Sequence, residues 1–364
     1  MITHVRHNLM IATMLSVWLV ALLGCQSQKP VTETRRDPAP LEQLRPTART
    51  SFLKARLGSL DPVPVPPDNP LTEQKVALGK TLFFDPRLGG DKKTSCASCH
   101  QPDKAWADGR ARAVGVGNRR AMRNTPTLLN VAYYQTLYWD GRASSLEDQV
   151  LKALANPDEM ASSPAAAVKT ISAIDGYKPL FQAAFGDPQV TAERIAQAIA
   201  SFERTLVTGP SPFDKFIKGD LNAMTGEQKE GLNLFLTRAE CFTCHQGKLF
   251  TNQEFTPSGI YVQPDMGRYN WTKQQYDYGK FRVPSLRNVA LTAPYFHNGS
   301  EPNLVEAAFF RVHGQSREQL KKRGEVVYEL SKRFSDEEIK YMAAFLEALT
   351  GELPKVEVTQ ELPQ

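Results

Sequence analysis

Cysteine is scarce: five among 364 residues, too few for a scaffold held together by disulfides. No apolar run reaches the roughly 18–20 residues that a bilayer-spanning helix needs. Charge of one sign is not in large excess either. The chain has 44 basic and 39 acidic side chains, a formal charge of +5, and no long Lys/Arg run, so a nucleic-acid partner is not suggested. Strand signals are weak throughout. What is present is an ordinary globular composition, 41 % hydrophobic and 23 % charged, which excludes wholesale disorder. The length suits about two domains of roughly 100–200 residues each.

The N-terminus reads as a targeting segment. Arg6, flanked by His4 and His7, precedes an apolar stretch from Leu9 to Leu23 and then Gly24-Cys25. A positive start, a short apolar stretch and a small residue before the cut describe a secretory signal. Leu22-Leu23-Gly24-Cys25 also has the form of a bacterial lipobox, and Cys25 is the only cysteine outside a pair. Lipidation there would attach the protein to a membrane by acyl chains alone; the alternative is a plain signal peptide with an incidental cysteine. Gln26 in the next position matches outer-membrane sorting, which implies a periplasmic location. Residues 26–70 then hold nine of the 25 prolines and read as an extended tether, with a short helix around Leu41–Leu60 left open.

Beyond the tether, helical periodicity dominates and the expected class is all-α. Asn69-Pro70 is a helix-start signal. Thr191 caps a helix with Ile195, Ile199, Phe202 and Leu206 on one face. Thr225 with Gln228 and Ser335 with Glu338 form capping-box patterns, the second leading a helix toward a stop at Gly351. The stretch from Gln246 to Asn303 reads as ordered loop. Gly79-Lys80-Thr81-Leu82-Phe83 precedes Cys96-Ala97-Ser98-Cys99-His100, and Gly231-Leu232-Asn233-Leu234-Phe235 precedes Cys241-Phe242-Thr243-Cys244-His245. The chain therefore looks duplicated.

Cys-x-x-Cys-His has a specific chemistry. Two thiols add to the vinyl groups of a haem and the adjacent histidine ligates its iron. A redox pair or disulfide does not require the histidine, and zinc wants further Cys/His ligands that this chain does not have to spare. Two such motifs in an exported chain imply two c-type haems, attached at Cys96, Cys99 and His100 and at Cys241, Cys244 and His245.

The surrounding runs carry a family resemblance. They are Leu82-Phe83-Phe84-Asp85-Pro86-Arg87-Leu88, Arg123-Asn124-Thr125-Pro126-Thr127, Trp139-Asp140-Gly141-Arg142, Glu159-Met160, Val283-Pro284-Ser285-Leu286-Arg287-Asn288 and Pro294-Tyr295-Phe296-His297-Asn298-Gly299. Together, over about residues 70–350, they resemble the bacterial dihaem cytochrome c peroxidases, a family that includes the MauG-type enzymes. The resemblance implies two cytochrome c-like helical domains, the peroxide-reactive haem in the first and the electron-transfer haem in the second. It sets the expected boundaries: signal 1–25, tether 26–70, first haem domain 71–224, second haem domain 225–350 and tail 351–364. By the same resemblance Glu159 is the acid above the first haem, Gln149 a distal amide and Trp139 the indole between the haems. Asn124, Thr292 and Pro294 match the surroundings of an interdomain calcium, and His297 a hydrogen-bonding residue between domains.

Two departures stand out. Gly115-Val116-Gly117 occupies the place where many members carry Gly-His-Gly, and valine cannot ligate iron. The first haem is then expected to be five-coordinate from the start. At the second haem, the family's far-side Met or Tyr is replaced by Arg311. His313 is the nearest ligand-capable side chain, its alternative role being an exposed or capping histidine before Gly314. The expected activity is reduction of hydrogen peroxide with electrons from a small periplasmic cytochrome c or cupredoxin. A MauG-like oxidase acting on residues of a partner protein and a non-enzymatic dihaem electron carrier are the alternatives. A homodimer is compatible with all three.

Overall fold

Glycine at a helix crossing organises each half of the chain. The computed structural model describes residues 46–60, 62–260, 265–314, 316, 334–358 and 361–364. The signal segment and Cys25 lie outside the described residues. The helices are α1 (Pro46–Leu57), α2 (Glu73–Phe84), α3 (Leu146–Ala155), α4 (Pro164–Ser172), α5 (Lys178–Phe185) and α6 (Ala192–Glu203). They continue with α7 (Pro212–Lys218), α8 (Gly226–Leu236), the single turn α9 (Tyr269–Thr272), α10 (Leu304–His313) and α11 (Asp336–Glu347). In the first half α2 crosses α6 so closely that a Cβ on Gly79 would lie 1.8 Å from the Ala198 carbonyl oxygen. In the second half α8 crosses α11 in the same way, with a Cβ on Gly231 1.9 Å from the Tyr341 carbonyl oxygen. Only glycine permits either approach.

The caps behave largely as the sequence predicts. Thr191, Thr225 and Ser335 each accept a hydrogen bond from the backbone N–H three residues on, and the latter two complete capping boxes. Two boundaries differ. Thr72, not Asn69, caps α2. Asn69 is instead buried as a hub, donating to Glu147 Oε1 at 2.7 Å and the Gln197 carbonyl at 3.0 Å, and accepting from Lys75 Nζ at 3.1 Å. The last helix ends at Glu347, before Gly351 is reached. Within the Gln246–Asn303 loop, β1 (Phe255–Pro257) and β2 (Lys280–Arg282) pair antiparallel, with Phe255 opposite Arg282.

Each half has its own apolar core, and each core has an aromatic cluster. In the first, Phe83, Trp106 and Phe202 meet edge-to-face with centroids 5.2–5.9 Å apart. In the second, Phe213, Phe235, Phe250 and Phe345 cluster at 5.1–6.2 Å, edge-to-face except for the tilted Phe250–Phe345 pair. The division does not follow the expected boundaries. Residues 46–57 of the expected tether form α1, and its Leu53 and Leu57 are fully buried in the second core. Helix α7, assigned by sequence to the first domain, contributes Phe213, Phe216 and Ile217 to that same second core. The tail returns to the first half, where Arg87 donates to the Pro363 carbonyl at 2.9 Å and the Gly176 N–H to the Gln364 carbonyl at 2.8 Å.

Between the halves, Arg123 forms a fork to Asp265 at 2.7 and 2.8 Å and also holds Asp140 at 2.7 Å. The Asn124 N–H donates to the His297 carbonyl at 2.7 Å, and the Arg282 N–H to the Trp139 carbonyl at 2.8 Å. No helix among the described residues is long and apolar enough to cross a membrane.

Candidate functional site

Each Cys-x-x-Cys-His motif winds into a short 3₁₀ turn, Cys96–Ser98 and Cys241–Thr243, closed by a bond from the histidine N–H to the first cysteine's carbonyl. Histidine Nδ1 then meets a carbonyl: His100 that of Trp106 at 3.0 Å, His245 that of Phe250 at 2.8 Å. A carbonyl only accepts, so Nδ1 carries the proton and Nε2 keeps its lone pair for a metal. Burial lowers the pKa of both imidazoles, His245 to about 4, and so keeps them neutral. The four motif cysteines form no disulfide among the described residues. Desolvation pushes Cys99 and Cys241 up to about 11 and raises Cys96 as well.

Cys96, Cys99 and His100 line a cavity of about 510 Å³. A neutral imidazole with a free Nε2, beside two unpaired thiols on one turn, fits a covalently held haem. The zinc alternative has no further ligands, since among the described residues no group of three or more His, Cys, Asp or Glu side chains is placed to hold a metal ion.

Glu159, Gln149 and Trp139 line the same cavity. Glu159 Oε1 accepts from Asn156 Nδ2 at 2.6 Å and from Arg142 at 3.4 Å, and Oε2 accepts from the Tyr138 hydroxyl at 3.4 Å. Burial raises the Glu159 pKa, while Arg142, Asn156 and Tyr138 pull it down. The guanidinium of Arg142 is held over the Tyr138 ring at 3.4 Å and by Asp140 at 2.9 Å. Trp139 donates its indole N–H to the Asn124 carbonyl at 2.9 Å and meets the His297 ring edge-on at 6.5 Å. His297 in turn stacks on Phe281 at 3.7 Å. The loop at Gly115 docks on the backbone of the acid: the Val116 N–H donates to the Glu159 carbonyl at 3.0 Å, and a Cβ on Gly115 would meet the Asp158 carbonyl oxygen at 2.2 Å.

Asn124, Thr292 and Pro294 also line this cavity. The Asn124 amide is fixed by donating to the Arg110 carbonyl at 2.7 Å, and the Thr292 hydroxyl donates to the Val289 carbonyl at 3.1 Å.

His313 sits in the last turn of α10. Its Nδ1 is bonded to the Phe309 carbonyl at 3.0 Å, its ring stacks on Phe309 at 4.1 Å, and its Nε2 is buried without a partner among the described residues. Two positions are about 200° apart on a helix, so Arg311 faces elsewhere. It is the Arg311 charge that bears on Cys241, Cys244 and His245.

Sequence reasoning missed Arg142, Tyr138 and Asn156 as partners of Glu159. It also missed Glu203, which is 3 % exposed at the end of α6, lines the first cavity and keeps one oxygen unpartnered. Burial raises the Glu203 pKa to about 8, so this carboxyl is neutral at pH 7. A longer internal repeat was also there to be found. Asn130-Val131-Ala132 matches Asn288-Val289-Ala290, Tyr138-Trp139-Asp140-Gly141 matches Phe296-His297-Asn298-Gly299, and Leu146 matches Leu304, all at one constant offset. The structure repeats it: Asn130 and Asn288 sit at φ 60° and 58°, and the bridge Leu137–Ala143 corresponds to Tyr295–Glu301.

Known proteins place this geometry. The family profile of the di-haem cytochrome c peroxidases matches residues 73–222. The methylamine utilization protein MauG of Methylorubrum extorquens is 39 % identical over 315 residues, covering 85 % of this chain and 87 % of its own. Cytochrome c551 peroxidase of Pseudomonas aeruginosa is 38 % identical over 299 residues, covering 79 % and 82 %. Among solved structures, a MauG-like protein associated with microbial copper homeostasis superposes with a TM-score of 0.70 at 31 % identity, over 80 % of this chain and 94 % of that one. With two Cys-x-x-Cys-His turns and this degree of likeness, the chain belongs to the dihaem cytochrome c peroxidase and MauG family of oxidoreductases.

Proposed function

We propose that the chain reduces hydrogen peroxide to water in the first recess, with electrons entering through the second from a small periplasmic cytochrome c or cupredoxin. The observation that carries this reading is Glu159 in the first cavity, its carboxyl desolvated and held by Asn156, Arg142 and Tyr138. Haem bound at His100 and His245 supplies the iron at which peroxide is cleaved and the route for its electrons. Glu159 takes the proton from one peroxide oxygen and returns it to the other, while Arg142 offsets negative charge that develops beside it. Gln149 orients the bound peroxide from the same wall, and Trp139, anchored by Asn124, lies between the recesses. All six histidines are accounted for without one at position 116, which favours a first iron open to peroxide before any reduction. Asn124, Thr292 and Pro294 hold a calcium ion through neutral oxygens in this reading. The signal pattern and Cys25 in the sequence support a periplasmic protein lipid-anchored to the outer membrane.

A second reading, oxidation of a partner protein in the manner of the MauG-named relatives, is favoured by Trp271. Its indole lines the mouth of the first cavity and is 53 % exposed, where a large substrate can meet it. The test common to both is Glu159→Gln. With both haems retained, peroxide cleavage should slow by roughly 10²–10⁴-fold, the usual worth of a positioned acid–base group. Unchanged cleavage in a stopped-flow measurement would remove Glu159 from the chemistry.

A further inference from the structure

The internal repeat sets α10 on α3, with Leu304 in the place of Leu146. From α3, Leu146, Gln149, Val150, Ala153 and Leu154 line the first cavity, the same cavity that holds Glu159. Ala153 corresponds to Arg311. Ala155, the counterpart of His313, is absent from that lining. The repeat therefore assigns Arg311 to the far side of the second motif, and the charge relations of Arg311 with Cys241, Cys244 and His245 agree.

Arg311 is unusually situated for a cation. It is exposed on α10, while the protein packed around its guanidinium lowers its pKa. One N–H donates to the Ser258 carbonyl at 3.1 Å, and the guanidinium lies 4.6 Å from the centre of the Phe296 ring. No carboxylate pairs with it among the described residues. A guanidinium with no carboxylate beside it keeps several donors free, and they are matched to an anion.

We propose that the far side of the second haem is an anion-binding site in which Arg311 hydrogen-bonds a small anion at the iron, in place of a protein ligand. The inference rests on the reading that the second motif carries a haem, and it extends that reading by giving this haem an exchangeable ligand. Small oxygen-bearing or halide anions are the class that fits, since arginine donates to them but cannot ligate the metal itself.

The test uses the oxidised, haem-loaded protein with two haems per chain confirmed, and fluoride as the probe. Electron paramagnetic resonance should show the second haem high-spin, and an optical titration should find two fluoride sites per chain. Arg311→Leu should weaken one of the two by about 10- to 100-fold, the worth of a charged hydrogen bond. Arg311→Met should convert one haem per chain to low spin and abolish that fluoride site, because a thioether can ligate where a guanidinium cannot. One low-spin haem per chain in the wild type, untouched by fluoride, would overturn the proposal without need of any variant. So would fluoride affinities that ignore Arg311→Leu, the outcome if the guanidinium pairs with a haem propionate. Peroxide turnover is no part of this readout, so loss of the peroxidase reading leaves the anion site standing, and the reverse.

Discussion

Glu159 is governed by two opposed forces, desolvation that raises its pKa and the cation of Arg142 that lowers it. As a proton acceptor it works only when ionised, so peroxide cleavage should rise with pH through its folded-state pKa. Removing the cation leaves desolvation less opposed. Arg142→Gln should therefore move the rising limb of the pH–rate profile to higher pH, with both haems retained, and a limb that stays in place would separate Arg142 from the acid. The residues themselves show how much of this was legible. Glu159 was visible only through the pattern around it, since Pro-Asp-Glu-Met alone describes a solvated loop. Arg142, Tyr138 and Asn156 were not, because a loop arginine or an asparagine gains its meaning from three-dimensional neighbours. For His313 the sequence offers only proximity to position 311, and two positions on a helix are about 200° apart, so the two side chains serve different faces.

The helices were read more surely than their ends. Thr191, Thr225 and Ser335 are local signals and were legible as such, whereas Asn69 had the chemistry of a cap and was claimed by Glu147 and Gln197, partners distant in sequence. Gly79 and Gly231 were seen as letters of a repeat, but their purpose is at the crossings of α2 with α6 and of α8 with α11. An added methyl group at either crossing must separate two backbones, so Gly79→Ala and Gly231→Ala should each cost about 1–3 kcal/mol or more. Denaturant unfolding checks this. The same substitution at Gly226, where a Cβ meets nothing within 4 Å, serves as the control.

For the whole molecule, composition could not show that the segment before Pro62 belongs to the second core, because its prolines lie on both sides of α1. Leu53 and Leu57 are fully buried there, so Leu57→Ala should destabilise the protein by roughly 2–5 kcal/mol, where a true tether would tolerate it. Thermal unfolding of the haem-loaded protein distinguishes the two. The duplicated plan was legible from Cys-x-x-Cys-His alone; the exchange of α1, α7 and the tail between the halves was not, as it depends on long-range packing. One feature of that plan bears on how the protein is made. In the folded chain, burial pushes the Cys99 and Cys241 thiols up to about 11, which disfavours the thiolate at neutral pH. Thiols in that state are poor partners for vinyl addition. Thioethers to a haem should accordingly form more readily while the chain is still open than after it has folded, and refolded haem-free protein should take up haem covalently more slowly than unfolded chain, which a haem-staining time course checks.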